Sequence, residues 1–315
     1  MSRRSATRTA AFTGAHGNRL VADVFGEAGR PVMLLHGGGQ TRHAWGRTAH
    51  QLADAGWSAY ALDQRGHGEA EWIESGAYGF PDFGADAAAI ADALRAQHGA
   101  APVTIGASLG GIASLLAAGA AQRDGRHDLF SALVLVDITP RVDLGGVDKV
   151  QGFMRAHAQE GFATIDEAGE AVAAYLPHRP RPRSHEGLRK NLRLHPDGRW
   201  RWHWDPRFID GPQPVGRRRE EIEAALVEAA RGLRIPTLLV RGASSELVGE
   251  EHAREFLQLV PHAAYADVAG ARHMVAGDRN DKFSAAIIHF LQGLACPQPD
   301  LPSSGKFPAG STIRK

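Results

Sequence analysis

Short apolar runs alternate with longer helical segments along most of this chain, and that alternation restricts its possible folds more than any other feature. The runs 31–38 (PVMLLHGG), 57–64 (WSAYALDQ) and 101–108 (APVTIGAS) have the length and composition of buried strands. The segment 83–99 repeats apolar residues every three or four positions, as an amphipathic helix does. This order predicts an α/β protein with a mostly parallel central sheet flanked by helices. Further runs with strand character are 19–26, 131–138, 236–243 and 263–270.

The alternation stops between residues 140 and 230, a stretch that holds three of the six tryptophans. It is too long to be a loop of a compact domain, so we expect an inserted, mostly helical cap. The tail is rich in proline, glycine and serine, a composition typical of flexible segments. The expected organisation is a core in two parts, 1–138 and 232–295, an inserted cap, 139–231, and a flexible tail, 296–315.

Ser108 stands between Gly106 and Gly110, where a strand run meets an alanine-rich helix. A serine at such a junction can simply cap the helix by accepting a backbone N–H. The pattern G-x-S-x-G in this context instead indicates a nucleophile elbow, a strained turn that presents the serine at the start of a helix. We expect Ser108 to be a nucleophile.

An oxyanion formed by attack of that serine needs hydrogen-bond donors. The amide of Leu109 follows the nucleophile at the helix start, where the helix dipole also favours negative charge. The glycines of HGGG (36–39) follow a predicted central strand and let a backbone approach the substrate. We expect the second donor to be the amide of Gly38, with Gly39 as the alternative.

A serine nucleophile also needs a base and an acid that orients the base. Among the 16 histidines, His273 follows the last predicted core strand and precedes the final helix, where the base of a Ser–acid–His sequence belongs. The acid is expected after the preceding strand, which favours Glu246 in RGASSE. Asp137, at the end of SALVLVDI, is the alternative, because an acid can also be presented one strand earlier.

These segments together resemble the α/β-hydrolase superfamily, and within it the cap-bearing esterases, lactonases and cofactor-free haloperoxidases. HGGG, DQRGHG (63–68), GASLGG (106–111), RGASSE and GARHMVAGD (270–278) occur in the superfamily's order. The resemblance implies that Asp63, Arg65 and His67 brace their loop. Relatives usually have aspartate where this chain has Glu246. A serine nucleophile points to acyl transfer and away from the aspartate chemistry of haloalkane dehalogenases and epoxide hydrolases.

Aromatic residues of the predicted cap are the candidate substrate contacts. Trp200, Trp202 and Trp204 share one face if their segment is extended, and Trp202 and Trp204 are the expected substrate-binding residues. The alternative is that the indoles pack the cap onto the core. Arginines at 179, 181, 183 and 217–219 form either a site for an anionic substrate or an ordinary solvated surface.

Composition excludes several function classes. The net charge of +1 gives no field that would attract nucleic acid or an anionic membrane. A single cysteine provides neither a disulfide framework nor a thiolate metal site, and no metal-ligand or phosphate-loop spacing occurs. No signal-peptide core or membrane-spanning run is present, so a cytoplasmic protein is expected. We expect a small-molecule substrate, no cofactor and no metal.

The sequence therefore predicts a serine hydrolase that cleaves a small carboxylic ester or lactone through an acyl-enzyme. Two alternatives stay open. One is hydrolysis of a carbon–carbon bond in a dienoic keto acid by the same residues, and the other is a ligand-sensing homologue with little turnover.

Overall fold

The structure, a computed structural model, describes residues 8–275, 280–295 and 313–314. Its strands and helices alternate through the core and are interrupted by one long insertion. The strands are β1 (Arg8–Thr13), β2 (Arg19–Phe25), β3 (Pro31–Leu35), β4 (Ser58–Asp63), β5 (Val103–Ala107), β6 (Ala132–Val136), β7 (Leu192–Leu194), β8 (Trp200–Trp202), β9 (Thr237–Gly242), β10 (Ala264–Val268) and β11 (Ile313–Arg314). The helices are α1 (Gly46–Asp54), α2 (Phe80–His98), α3 (Leu109–Arg123), α4 (Leu144–Ala156), α5 (Ile165–Tyr175), α6 (Arg207–Asp210), α7 (Arg219–Gly232), α8 (Glu250–Leu259) and α9 (Asn280–Ala295).

The described strands of the core form one sheet in the order β1-β2-β4-β3-β5-β6-β9-β10-β11. The six strands from β4 to β10 in that order are parallel, and β1, β2 and β11 are antiparallel to their neighbours. Helices cover both faces, so every residue of β3, β4, β6 and β9 is buried, which explains their near-continuous apolar sequences. The predicted α/β class with a mostly parallel, helix-flanked sheet is confirmed.

Each face of the sheet has its own apolar core. One face packs against α2, α3 and α7, with Leu94, Ala113 and Leu226 among its buried residues. The other packs against α1 and α9, through Leu52 and Phe283. The strand β1 is not among the predicted runs, because four of its six residues are exposed and its apolar pattern is weak.

The long insertion lies between β6 and β9 and contains α4 to α7 and the β7–β8 hairpin. Its first part covers the carboxyl ends of the core strands. Its last helix, α7, packs on α3, where a Cβ at Gly119 would lie 2.6 Å from the Cβ of Ala229. The insertion is thus helical with one short hairpin, and α7 belongs to the layer of core helices.

The C-terminal segment contributes one pairing to the sheet. Ile313 and Arg314 pair antiparallel with Ala266 and Tyr265 of β10. These two residues belong to the tail expected over 296–315, and its other residues, 296–312 and 315, lie outside the described residues. Within the part of the chain that is described, no helix is both long enough and apolar enough to cross a bilayer.

Candidate active site

Ser108 occupies the turn between β5 and α3. Its backbone has φ 46° and ψ −110°, a conformation that non-glycine residues rarely adopt. Its amide donates to the carbonyl of Val136 at 3.1 Å, which ties the turn to the neighbouring strand. Its side chain makes no hydrogen bond to the described residues, unlike that of a capping serine. The expected elbow conformation is therefore present.

The flanking glycines are required by space. A Cβ at Gly106 would lie 2.3 Å from the carbonyl oxygen of Gly110, and a Cβ at Gly110 would lie 2.3 Å from that of Leu35. Both distances are far below van der Waals contact, and the neighbours are backbone atoms that cannot move aside. The G-x-S-x-G spacing thus results from the close approach of α3 to β5 and β3.

We expect Gly110→Ala to lower the free energy of unfolding by about 3 kcal/mol or more, because the added methyl group forces α3 away from β3. Urea denaturation followed by circular dichroism measures the change. Gly152→Ala is the matched control, since Gly152 lies in α4 with no atom near its Cβ position. Alanine there is expected to be neutral or stabilising. Equal stability of the two variants would contradict the steric explanation.

His273 and Asp137 meet beside this turn. His273 Nδ1 lies 2.8 Å from Asp137 Oδ2. Asp137 directly follows β6, is fully buried and has a positive φ of 50°. The amide of Gly242 donates to its Oδ1 at 2.9 Å. The buried carboxylate is thereby fixed in orientation and holds the imidazole by its Nδ1 edge.

Glu246, the acid favoured from the sequence, does not contact His273 in this way. Its carboxylate pairs with Arg272 at 2.8 Å and lies 3.9 Å from the ammonium group of Lys149. Partial burial is the largest single influence on Glu246 and opposes its ionisation, but the hydrogen bonds it accepts and the charges of Arg272 and Lys149 together outweigh burial, so the pKa of the carboxyl is lowered. The expected pairing of Glu246 with His273 is corrected: the partner of the imidazole is Asp137, the alternative acid.

The HGGG loop leaves one glycine amide unused. Gly37 donates its N–H to Gln40 Oε1 at 3.1 Å, and Gly39 donates its N–H to His67 Nε2 at 3.1 Å. Among the described residues, none accepts a hydrogen bond from the amide of Gly38. Gly39, the alternative donor, is committed to His67, so the arrangement favours Gly38 as the amide available to a ligand. The amide of Leu109, the first residue of α3, is likewise without an acceptor among the described residues.

Two buried histidines hold this loop as neutral groups. His67 accepts from Gly39 through Nε2 and therefore donates through Nδ1 to the carbonyl of Arg65, at 2.9 Å. His36 accepts from the amide of Gln64 at 3.2 Å and donates to the carbonyl of Gly37 at 2.8 Å. Burial lowers the pKa of His36 to about 4 and that of His67 to about 3, so both stay uncharged near neutral pH.

The neighbouring D-x-R-G-x-G loop is held by ion pairs. Asp63 accepts hydrogen bonds from the amides of Arg42 and Glu69. Arg65 is fully buried and makes a bidentate pair with Asp86, with both bonds at 2.7 Å. These contacts match the bracing role that the resemblance implied for Asp63, Arg65 and His67.

Ser108 and His273 both line a cavity of about 550 Å³ between the core and the insertion. Its walls are largely apolar and come from both parts of the chain. Phe208 reaches the HGGG loop, where a Cβ at Gly38 would lie 3.3 Å from its ring. Trp202 and Trp204 are buried and line the cavity, whereas Trp200 does not line it and carries the Arg189 guanidinium 4.8 Å above its ring.

The charged residues of the cavity wall are few and balanced. They are Asp148, Arg179, Arg219 and Glu223, none of which is buried. Glu223 pairs with Arg141 at 2.7 Å. The arginine cluster expected from the sequence thus contributes two side chains to the wall, and two carboxylates offset them. No group of side chains in the described ranges could hold a metal ion.

Two residues that contact the candidate site were not predicted from the sequence. Gln40 accepts the amide of Gly37, and Ser245 donates its hydroxyl proton to Asp137. Gln40 directly follows HGGG, and Ser245 lies in the loop where the acid was expected. Their positions in these motifs were the only available signals.

Comparison with known proteins gives a consistent result. Residues 26–280 match the family model Hydrolase_4, described as serine aminopeptidase, S33. The chain is 29% identical over 269 residues to esterase Rv0045c of Mycobacterium tuberculosis, covering 84% of this chain and 82% of that protein. It is also 29% identical over 287 residues to 2-(acetamidomethylene)succinate hydrolase of Mesorhizobium japonicum, covering 87% and 92%.

Solved structures show the same fold. A crystal structure of E-2-(acetamidomethylene)succinate hydrolase superposes with a TM-score of 0.77 at 23% identity, covering 91% of this chain and 100% of that one. The M. tuberculosis esterase superposes with a TM-score of 0.69 at 26% identity, covering 94% and 93%. The similarity thus extends over the core and the insertion together.

Proposed function

Because the chain belongs to the Hydrolase_4 family, and with it to the α/β-hydrolase superfamily, we propose that it is a cofactor-independent serine hydrolase of carboxylic esters. The observation that carries the proposal is the pairing of buried Asp137 with partly buried His273 beside the strained Ser108, at one wall of an apolar cavity. Ser108 is the nucleophile, His273 the general base, and Asp137 the acid that orients it.

The proposed reaction begins with rotation of the Ser108 hydroxyl toward His273 Nε2. The oxygen attacks the ester carbonyl while Nε2 takes its proton, and Asp137 stabilises the imidazolium through Nδ1. The amides of Gly38 and Leu109 donate to the oxyanion. Collapse of the intermediate expels the alcohol, which takes the proton from His273. Water then attacks the acyl-enzyme carbonyl while His273 takes a proton from it, and collapse of the second intermediate returns that proton to the Ser108 oxygen and releases the acid.

We propose a neutral substrate with an apolar acyl group, or a lactone of similar character. The wall of the cavity is mostly aliphatic and aromatic, with Trp202 and Trp204 among the contacts, and its charged side chains are balanced in sign and none of them is buried. An anionic substrate such as a dienoic keto acid would have no buried cation to pair with, so its transfer into the cavity is unfavourable. The cavity therefore supports ester hydrolysis over carbon–carbon hydrolysis.

The inserted segment acts in this proposal as a cap that shields the acyl-enzyme from bulk water. We propose a small-molecule substrate, no nucleic-acid or membrane partner and a cytoplasmic location, in keeping with the near-zero net charge.

The test is hydrolysis of p-nitrophenyl esters from acetate to dodecanoate, with uncharged lactones and a dienoic keto acid in the same panel. We expect multiple turnovers on uncharged esters with a distinct chain-length optimum, because the size of the cavity limits the length of the acyl group.

Trp202→Ala is expected to move that optimum to longer chains, because loss of the indole enlarges the cavity. Preference for the keto acid would support carbon–carbon hydrolysis instead, and one slow turnover with a lasting adduct would support a sensor.

A further inference from the structure

We propose that Ser245 is a positioning residue that acts on His273 through Asp137. Its role as an aid to turnover rests on the proposed function, whereas its effect on the imidazole does not. The Ser245 hydroxyl donates to Asp137 Oδ2, the same oxygen that lies 2.8 Å from His273 Nδ1. One carboxylate oxygen is thus shared between the base and this serine.

The Ser245 hydroxyl is itself fixed on its other side. Its oxygen accepts the amides of Leu247 and Val248, each at 3.1 Å. These bonds define the rotamer and direct the single hydroxyl proton at Asp137. Amide donation to the oxygen also polarises the O–H bond and makes it a stronger donor to the carboxylate.

The loop that contains Ser245 also contacts the start of α4, a helix of the insertion that lines the cavity. Leu247 accepts the amide of Asp143 at 2.8 Å, and Asp143 caps α4 by accepting the amide of Gly146, also at 2.8 Å. Ser245 therefore lies in the loop after β9, which contacts both Asp137 and the start of α4. Removal of this hydroxyl is expected to weaken both the orientation of Asp137 and the contact between Leu247 and Asp143 at the start of α4.

The hydrogen bond from the Ser245 hydroxyl withdraws electron density from Asp137 Oδ2, the oxygen that also contacts His273 Nδ1. Without it, Asp137 keeps only the Gly242 amide and the imidazole as described donors. A less solvated carboxylate attracts the imidazolium more strongly, so the protonated form of His273 becomes favoured. The carboxylate also gains freedom to rotate, which weakens orientation of the base.

Other charged groups surround this pair, and the substitution leaves them unchanged. On the side of β9 and β10, Arg241 pairs with Asp267 at 3.1 Å. On the histidine loop and α4, Glu246 pairs with Arg272 and approaches Lys149. From the insertion, Arg179 reaches the carbonyl of Met274. A shift in the titration of His273 on changing Ser245 is therefore attributable to the Asp137 contact.

The experiment compares Ser245→Ala with Ser244→Ala, a control at the preceding, exposed serine, whose side chain shows no hydrogen bond to the described residues. We expect Ser245→Ala to lower kcat/KM about tenfold, the effect of one hydrogen bond, with the change mainly in kcat. Its acid limb in the pH profile of kcat/KM is expected to move upward by about half a pH unit. Ser245→Thr retains the hydroxyl and is expected to restore both.

NMR titration of the imidazole signals gives a readout that needs no substrate. The His273 signal is assigned by its absence in His273→Gln, and its midpoint is expected to rise in Ser245→Ala and not in Ser244→Ala. If Ser245→Ala does not fold, Ser245→Cys, with a weaker donor of similar size, is expected to show a smaller rise. An unmoved midpoint in a folded variant overturns the proposal, even if its Tm falls, because Ser245 is then only structural. If esters are not turned over at all, the proposed function fails, and this titration still decides the role of Ser245.

Discussion

Ser108→Ala is expected to lower kcat/KM for a neutral ester by about four to six orders of magnitude. The loss is large because, in the proposed mechanism, the hydroxyl oxygen is the atom that forms the acyl bond, and no neighbouring group in the elbow can replace it. Alanine has no new atoms to accommodate, so the protein is expected to fold as before. Ester hydrolysis with purified protein and thermal unfolding of both proteins measure the two effects.

The covalent step has a direct test. A fluorophosphonate probe is expected to label the wild-type protein at Ser108, since tetrahedral phosphonates fill the same position as the intermediate, and to leave Ser108→Ala unlabelled. Peptide mapping by mass spectrometry locates the adduct. Ser244→Ala, an exposed serine beside the machinery, is the control and should label as the wild type does. Full labelling or retained turnover in folded Ser108→Ala would contradict the proposed nucleophile.

The elbow could be predicted from sequence because its requirements are local. Gly106 and Gly110 meet backbone atoms of adjacent elements, and a pattern of small residues around Ser108 at a strand–helix junction reports that crowding directly. The parallel strands could also be predicted from sequence, because burial on both faces of the sheet requires the continuous apolar runs of β3 and β6.

The carboxylate that pairs with His273 could not be decided from sequence, because the pairing depends on distances between separate loops. Asp137 and Glu246 follow neighbouring strands, so both emerge at the same edge of the sheet. Asp137 is turned toward His273 by its positive φ and the Gly242 amide, features that leave no local sequence pattern. Glu246 is drawn away by Arg272, the residue before His273, and an ion pair between two loops is likewise invisible in sequence.

The insertion shows a further limit of sequence patterns. Trp200, Trp202 and Trp204 alternate as expected for an extended segment, yet only the last two line the cavity, because Trp200 lies at the start of β8 beneath Arg189. Side-chain alternation predicts which residues share a face. It does not predict where along that face a cavity ends.

The second large effect separates the two acids. Asp137→Asn is expected to lower kcat/KM by about four orders of magnitude, because the amide cannot stabilise the imidazolium and favours the wrong tautomer of His273. Glu246→Gln is expected to change kcat/KM by no more than about threefold, since it removes only a partly exposed ion pair with Arg272. Both substitutions exchange one carboxylate oxygen for NH₂ at nearly constant volume, so each controls for the other.

The pH and salt dependence of these variants sharpens the comparison. In Asp137→Asn the buried charge is gone, so the protonated imidazole loses its partner and the acid limb of kcat/KM is expected to move to lower pH. Glu246→Gln is expected to keep the wild-type limb and to lose some salt sensitivity of its Tm, because surface pairs are screened. A severe loss in Glu246→Gln together with near-normal turnover in Asp137→Asn would place the acid after β9 and require His273 to turn from Asp137 during catalysis. The fully buried position of Asp137, with three donors converging on its carboxylate, argues for the opposite result.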